Sequence, residues 1–88
     1  MQWKVIESRL VSRQLPRVPR EIQEKYILWR ELVRREGPYL RGGFRVHPLH
    51  GNREGQKSAR MNRQWRVIFR VFEGDLIVEA IELTPHKY

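Results

Sequence analysis

Two runs of alternating side chains, Trp65 to Phe72 and Leu76 to Leu83, lie on either side of Glu73-Gly74 and constrain this chain more than any other feature. On a strand, every second residue shares a face. Glu73-Gly74 reads as a two-residue hairpin loop, and such a loop fixes the pairing. It sets Val71 opposite Leu76, Phe69 opposite Val78 and Val67 opposite Ala80. All six are apolar, so this face is the expected core. The other face sets Arg66, Ile68 and Arg70 against Ile81, Glu79 and Ile77, with Glu79 diagonal to both arginines. One packed face and one mixed, basic face suit an antiparallel sheet with helices on one side.

The rest of the chain supplies those helices. Trp3 to Ile6 reads as a short strand. Ser8 can cap a short helix carrying Leu10, Val11 and Leu15, which Pro16 ends. Pro19 stands where a second helix begins. Ile22, Tyr26, Trp29 and Val33 then recur at helical spacing, widened by Leu28 and Leu32, until Gly37-Pro38 stops them. Gly42-Gly43 and His47 to Gly55 read as loop. Gln56 to Met61 reads as a strand and Asn62 to Gln64 as a turn. The expected fold is α+β: a short N-terminal strand, two helices, then a three-stranded antiparallel meander with the helices packed on one face.

With 88 residues there is room for one core, so a single domain over 1–88 is expected. There is no Cys, hence no disulfide framework and no thiolate metal site. Three His without acidic companions at ligand spacing give no metal pattern, and none is expected. No apolar run resembles a signal peptide or a membrane span, so a cytoplasmic location is the expectation.

Charge is the first functional clue. The formal net charge is +8, and fourteen of the eighteen basic residues are Arg. Arginine presents a planar fork of donors that matches phosphate, and it stacks on bases. A GC-rich genome also favours arginine codons, so distribution matters more than number. Between Arg41 and Phe72 lie Arg41, Arg45, Arg53, Lys57, Arg60, Arg63, Arg66 and Arg70, opposed by Glu54 alone. The next stretch holds Glu73, Asp75, Glu79 and Glu82 and no base. Such clustering fits a nucleic-acid binder, and it fits an acidic protein partner too.

Arg66 and Arg70 share one side of their strand, with Arg60 ending the strand before. They suit binding of single-strand phosphates or stabilisation of a phosphate during cleavage. Periodicity alone does not separate this from a solvated face partly neutralised by Glu79. His47 and His50 precede the meander and His86 follows it. Imidazole titrates near neutrality and suits acid–base work, although isolated histidines are also common on inert surfaces. Tyr88 could stack on a base or simply pack.

The segments His47-Pro-Leu-His-Gly-Asn, Gln56-Lys-Ser-Ala-Arg-Met-Asn-Arg-Gln-Trp-Arg-Val-Ile-Phe-Arg-Val and Thr84-Pro-His-Lys-Tyr together resemble the RelE/ParE superfamily of bacterial toxins, and in particular its YafQ-like and HigB-like mRNA interferases. The resemblance implies a RelE-like fold and the toxin role in a type II toxin–antitoxin system. It implies a ribosome-dependent, metal-independent endoribonuclease, with no cofactor. Such an enzyme cuts mRNA in the A site of the small ribosomal subunit, by 2′-hydroxyl attack. By this resemblance His47, Arg60, Arg66 and His86 are the catalytic candidates. Arg63, Gln64, Arg70 and Tyr88 are candidates for holding RNA. The implied partners are mRNA, the ribosome and a small antitoxin, acidic where it docks. The chain departs from YafQ-like members in having Arg60 where they carry His, Gln64 where they carry Asp, and an aromatic closer to the last His. Two other functions share the fold or the charge: inhibition of gyrase, as in ParE-like members, and RNA binding without catalysis. The joint presence of His47, Arg66 and His86 favours the nuclease.

Overall fold

The computed structural model describes residues 2–85. Its first half is organised by Ser8. The Ser8 hydroxyl accepts from the Val11 N–H at 3.1 Å, capping helix α1 (Arg9–Gln14), and donates to the Ile81 carbonyl at 2.7 Å. One side chain thus starts a helix and ties it to the sheet. Strand β1 (Lys4–Glu7) precedes Ser8, and helix α2 (Arg20–Glu36) follows Pro19. Ile22, Tyr26, Trp29 and Val33 are its buried stripe, as their spacing requires. Leu28, expected to widen that stripe, is exposed. The Trp29 ring lies 5.6 Å from Tyr26 and 5.4 Å from Phe69 on the sheet, which seats the helix on the core. The Tyr26 hydroxyl donates to Glu7 at 2.7 Å, and Arg30 donates to the same oxygen at 2.8 Å. Burial, reinforced by that carboxylate, pushes the Tyr26 phenol well above its ordinary range.

The sheet has five strands rather than a first strand and a three-stranded meander. To β1 it adds β2 (His47–Pro48), β3 (Lys57–Arg60), β4 (Trp65–Phe72) and β5 (Ile77–Pro85), in the order β1-β5-β4-β3-β2. β1 runs parallel to β5, and the other neighbours are antiparallel. His47 and Pro48, expected in a loop, instead pair with Ser58 and Lys57.

The hairpin register also differs. Glu73–Asp75 winds a 3-10 turn and Leu76 takes a left-handed conformation at φ 53, so the turn is longer than two residues. Pairing therefore slips by two: Val71 faces Val78 and Phe69 faces Ala80. An even slip leaves every side chain on its expected face. A bulge then intervenes between Ile68 and Phe69, and beyond it Ile68 faces Glu82, Val67 faces Leu83 and Arg66 faces Thr84. The extra residue, Ile81, lets both Ala80 and Leu83 point into the core. Leu76 belongs to the turn. Glu79 lies directly opposite Arg70 and is not a neighbour of Arg66.

β1 pairs with β5 only as far as Ala80. Past that point Ile81 is held by Ser8, and the Gln14 amide both donates to and accepts from the Leu83 backbone, at 2.9 and 2.8 Å. The helix-bearing face holds Val67, Phe69, Val78, Ala80 and Leu83, all buried. The opposite face is not wholly open. Ile68 sits on it with no exposed surface. Arg53, from a 3-10 turn at Gly51–Arg53, forms an ion pair with Glu82, the residue opposite Ile68, and donates to Gln56 at 3.0 Å. The loop before β3 is thereby drawn over the middle of this face.

Candidate functional site

Strand pairing lays out two adjacent rows on the face away from the helices. One row reads His47, Ser58, Ile68, Glu82, and the next reads Arg60, Arg66, Thr84. At the end nearest the β3–β4 turn these rows border a cleft of about 180 Å³ lined by Arg45, His47, Ser58, Arg60, Asn62, Arg63, Trp65 and Arg66. Among the described residues four arginines face it and no carboxylate does. None of the four is in an ion pair within 4.0 Å among the described residues. Like charges held around one concavity raise the local potential and favour an anion there.

His47 is held at both ring nitrogens. Nδ1 lies 2.9 Å from the Arg45 carbonyl and Nε2 lies 3.2 Å from the Ser58 hydroxyl. A carbonyl can only accept, so Nδ1 carries the proton and Nε2 of the neutral ring is the basic nitrogen. The second partner, Ser58, is 1% exposed. Arg45 reaches this position in a left-handed conformation, φ 45, uncommon for a residue with a side chain. Such geometry points both its carbonyl and its side chain at one site, the kind of local strain found where function constrains the backbone.

The β3–β4 turn places the other cations. The Asn62 side-chain oxygen accepts from the backbone of Gln64 and Trp65, each at 2.8 Å, closing an Asx turn. Arg60 Nε donates to the Asn62 carbonyl at 3.2 Å, which leaves the end of its guanidinium for a ligand. Arg66 is half-buried, and its Nε is buried with no partner among the described residues. A donor left unmet on a cation that lines the cleft is open to an anion there, and Arg30 Nε and Trp29 Nε1, away from the cleft, are unmet as well.

Of the expected site residues, His47, Arg60, Arg63 and Arg66 are brought together. Gln64 lies in an outer shelf of the same region with Glu21, Arg45, Arg60, Asn62 and Arg63. Arg70 is exposed two rows away beside Glu79 and does not line the cleft. His86 and Tyr88 lie outside the described residues; Pro85, the chain neighbour of His86, pairs with Trp65 at the cleft. Arg45, Ser58, Asn62 and Trp65 were not anticipated. Ser58 could have been found from period two, since it precedes Arg60 by two residues on the same strand.

No family model and no curated protein matches the sequence. Solved structures do. RelE of the archaeon Pyrococcus horikoshii, in its complex with RelB, superposes with a TM-score of 0.80 at 26% identity, over 97% of this chain and 96% of that one. YoeB of Staphylococcus aureus, in complex with YefM, gives 0.74 at 17% identity, over 99% and 100%. YafQ of Escherichia coli gives 0.70 at 17% identity, over 97% and 94%. YafQ does not stand out among the three, so the particular likeness to YafQ-like members is not distinguished from likeness to the others.

Proposed function

The chain has the fold of the RelE/ParE superfamily of toxins, and from that premise we propose that it is the toxin of a type II toxin–antitoxin system, acting in the cytoplasm as a ribosome-dependent, metal-independent endoribonuclease on mRNA in the A site. The observation that carries this reading is the cleft: four arginines, none ion-paired among the described residues, around a histidine whose tautomer is set by a backbone carbonyl. In the proposed reaction a base takes the proton from the 2′-hydroxyl, whose oxygen attacks the adjacent phosphorus. The bond to the 5′-oxygen breaks, and an acid protonates that oxygen. The products are a 2′,3′-cyclic phosphate and a free 5′-hydroxyl. His47 is the proposed group for one proton transfer, through Nε2 once its hydrogen bond with Ser58 opens, and His86 is the proposed group for the other. Arg66, Arg60 and Arg45 would stabilise the charge that builds on the phosphate oxygens, where preorganised donors act most strongly. Arg63 and Gln64 would hold flanking RNA, with Tyr88 proposed as a stacking residue.

RelE and YoeB were solved with RelB and YefM, which supports a cognate antitoxin as partner of this chain. A carboxylate-bearing antitoxin segment would meet the arginine cleft with complementary charge. The test is induction of the chain alone, followed by mapping of mRNA 5′ ends. Cuts in register with codons are expected. Intact mRNA with accumulating gyrase-cleaved DNA would instead assign the fold to gyrase inhibition.

A further inference from the structure

A second groove adjoins the cleft and shares one wall with it. Leu10, Arg13, Gln14, Arg17, Val18 and Trp65 line it, and Trp65 is the residue common to both. Arg13 and Arg17 stand four apart on one side of α1 and the turn after it, both exposed. Neither is in an ion pair among the described residues. The backbone between them is anchored, because Gln14 is tied to the Leu83 backbone by two hydrogen bonds. No carboxylate among the described residues lines the groove. Trp65 alternates with Arg66 along β4, so its half-buried side chain packs against the core on the helix-bearing side. The groove with its second pair of arginines, one on α1 and one in the turn after it, meets the cleft at Trp65.

We propose that this groove binds the continuation of the RNA chain held in the cleft, with Arg13 and Arg17 on its phosphates and Trp65 stacked on the base between the two positions. The inference rests on the reading of the cleft as an RNA site. Alternating cations and an aromatic platform are what a single strand requires, since every base has a stacking face and every linkage a charge. A bound protein segment would use the same cations without needing the indole as a stacking platform, which is what separates the two in experiment.

The probe is single-stranded oligoribonucleotide made uncleavable by 2′-O-methylation, in a trinucleotide and a nonanucleotide form. Binding is measured as a function of salt on the intact chain. For wild type the nonanucleotide binds more tightly. For Arg13→Gln combined with Arg17→Gln that advantage is lost, and the slope of log affinity against log salt becomes shallower by about 1.4, from ~0.7 per phosphate contact. Trp65→Leu weakens the nonanucleotide roughly tenfold, within the range for one stacked base, while Trp65→Phe retains its binding. Thermal melts run alongside show which variants are folded, and if Trp65→Leu is not, the salt slope of the arginine double variant decides the test. An unchanged salt slope in the double variant overturns the proposal. So does equal weakening by Trp65→Phe and Trp65→Leu, or a wild type that binds both lengths alike. The assay involves no cleavage, so failure of the nuclease reading would show separately, as an RNA-binding chain that leaves mRNA intact.

Discussion

The Ser58 hydroxyl stands 3.2 Å from Nε2 of His47, and it does so from a buried side chain. Together with the Arg45 carbonyl on Nδ1, this fixes both the tautomer and the rotation of the ring. Ser58→Ala should leave the fold intact and free the ring to turn. Loss of a hydrogen bond of about 1 kcal/mol corresponds to roughly five- to tenfold in the single-turnover rate on programmed ribosomes. His47→Gln should lower that rate by about 10²–10⁴. A Ser58→Ala variant cleaving at the parental rate would show that Ser58 does not orient the His47 imidazole.

Arg66→Ala should separate stability from activity. Arg66 is in no ion pair among the described residues and carries a buried Nε without a partner, so its removal should change stability by no more than about 1 kcal/mol. Cleavage should nevertheless fall by roughly 10²–10³. Arg66→Lys should recover only part, because it keeps the charge and loses the forked geometry. Melts and cleavage rates of the same preparations decide the matter: a folded Arg66→Ala that cleaves normally removes Arg66 from the site.

Tyr39 provides a pH test at a point remote from the cleft. Its hydroxyl donates to Glu73, and that bond, with smaller help from burial and the negative charge, pushes the phenol from 10.0 up to about 12. A folded value above the unfolded one means the folded state holds the proton more tightly. The contribution is therefore fully present below pH 10 and is lost as pH rises towards 12. Urea midpoints of wild type and Tyr39→Phe should differ at neutral pH and converge over that window. Parallel curves would show that the bond to Glu73 does not persist in solution.

Gly37→Ala tests the end of α2. Gly37 sits at φ 88, and a Cβ there would lie 3.0 Å from Nε1 of Trp3. Backbone strain of this type costs on the order of 1–3 kcal/mol, and in a domain this small each kcal/mol lowers the Tm by about 4–8 °C. A calorimetric melt unchanged from wild type would mean that Trp3 and the helix end shift apart easily.

What the sequence made legible was what parity and periodicity control. The buried stripe of α2 and the inward set Val67, Phe69, Val78 and Ala80 follow from spacing alone, and an even slip in register left them in place. The slip itself depended on Leu76 adopting a left-handed turn, for which a leucine gives no signal. The bulge at Ile81 was equally silent, because its unpaired carbonyl is met by Ser8, far away in sequence. In the cleft the arginines were visible as charge. The Arg45 carbonyl and the Ser58 hydroxyl were not, since one lies in an apparently irregular loop and the other belongs to a small neutral side chain. Their roles come from tertiary placement: a carbonyl and a hydroxyl that face the same imidazole.

Strand β5 comes last of the five in chain order, yet it lies inside the sheet, between β1 and β4. β1 pairs with β5 alone, α1 is anchored through Ser8 and Gln14 to Ile81 and Leu83, and Arg66 is faced by Thr84. Contacts this distant in sequence are late and slow to form. During synthesis, β1 and α1 must therefore wait for the strand that joins them to the rest of the sheet. A chain interrupted before residue 77 lacks the strand that joins β1 and α1 to the rest of the sheet, so its core cannot close.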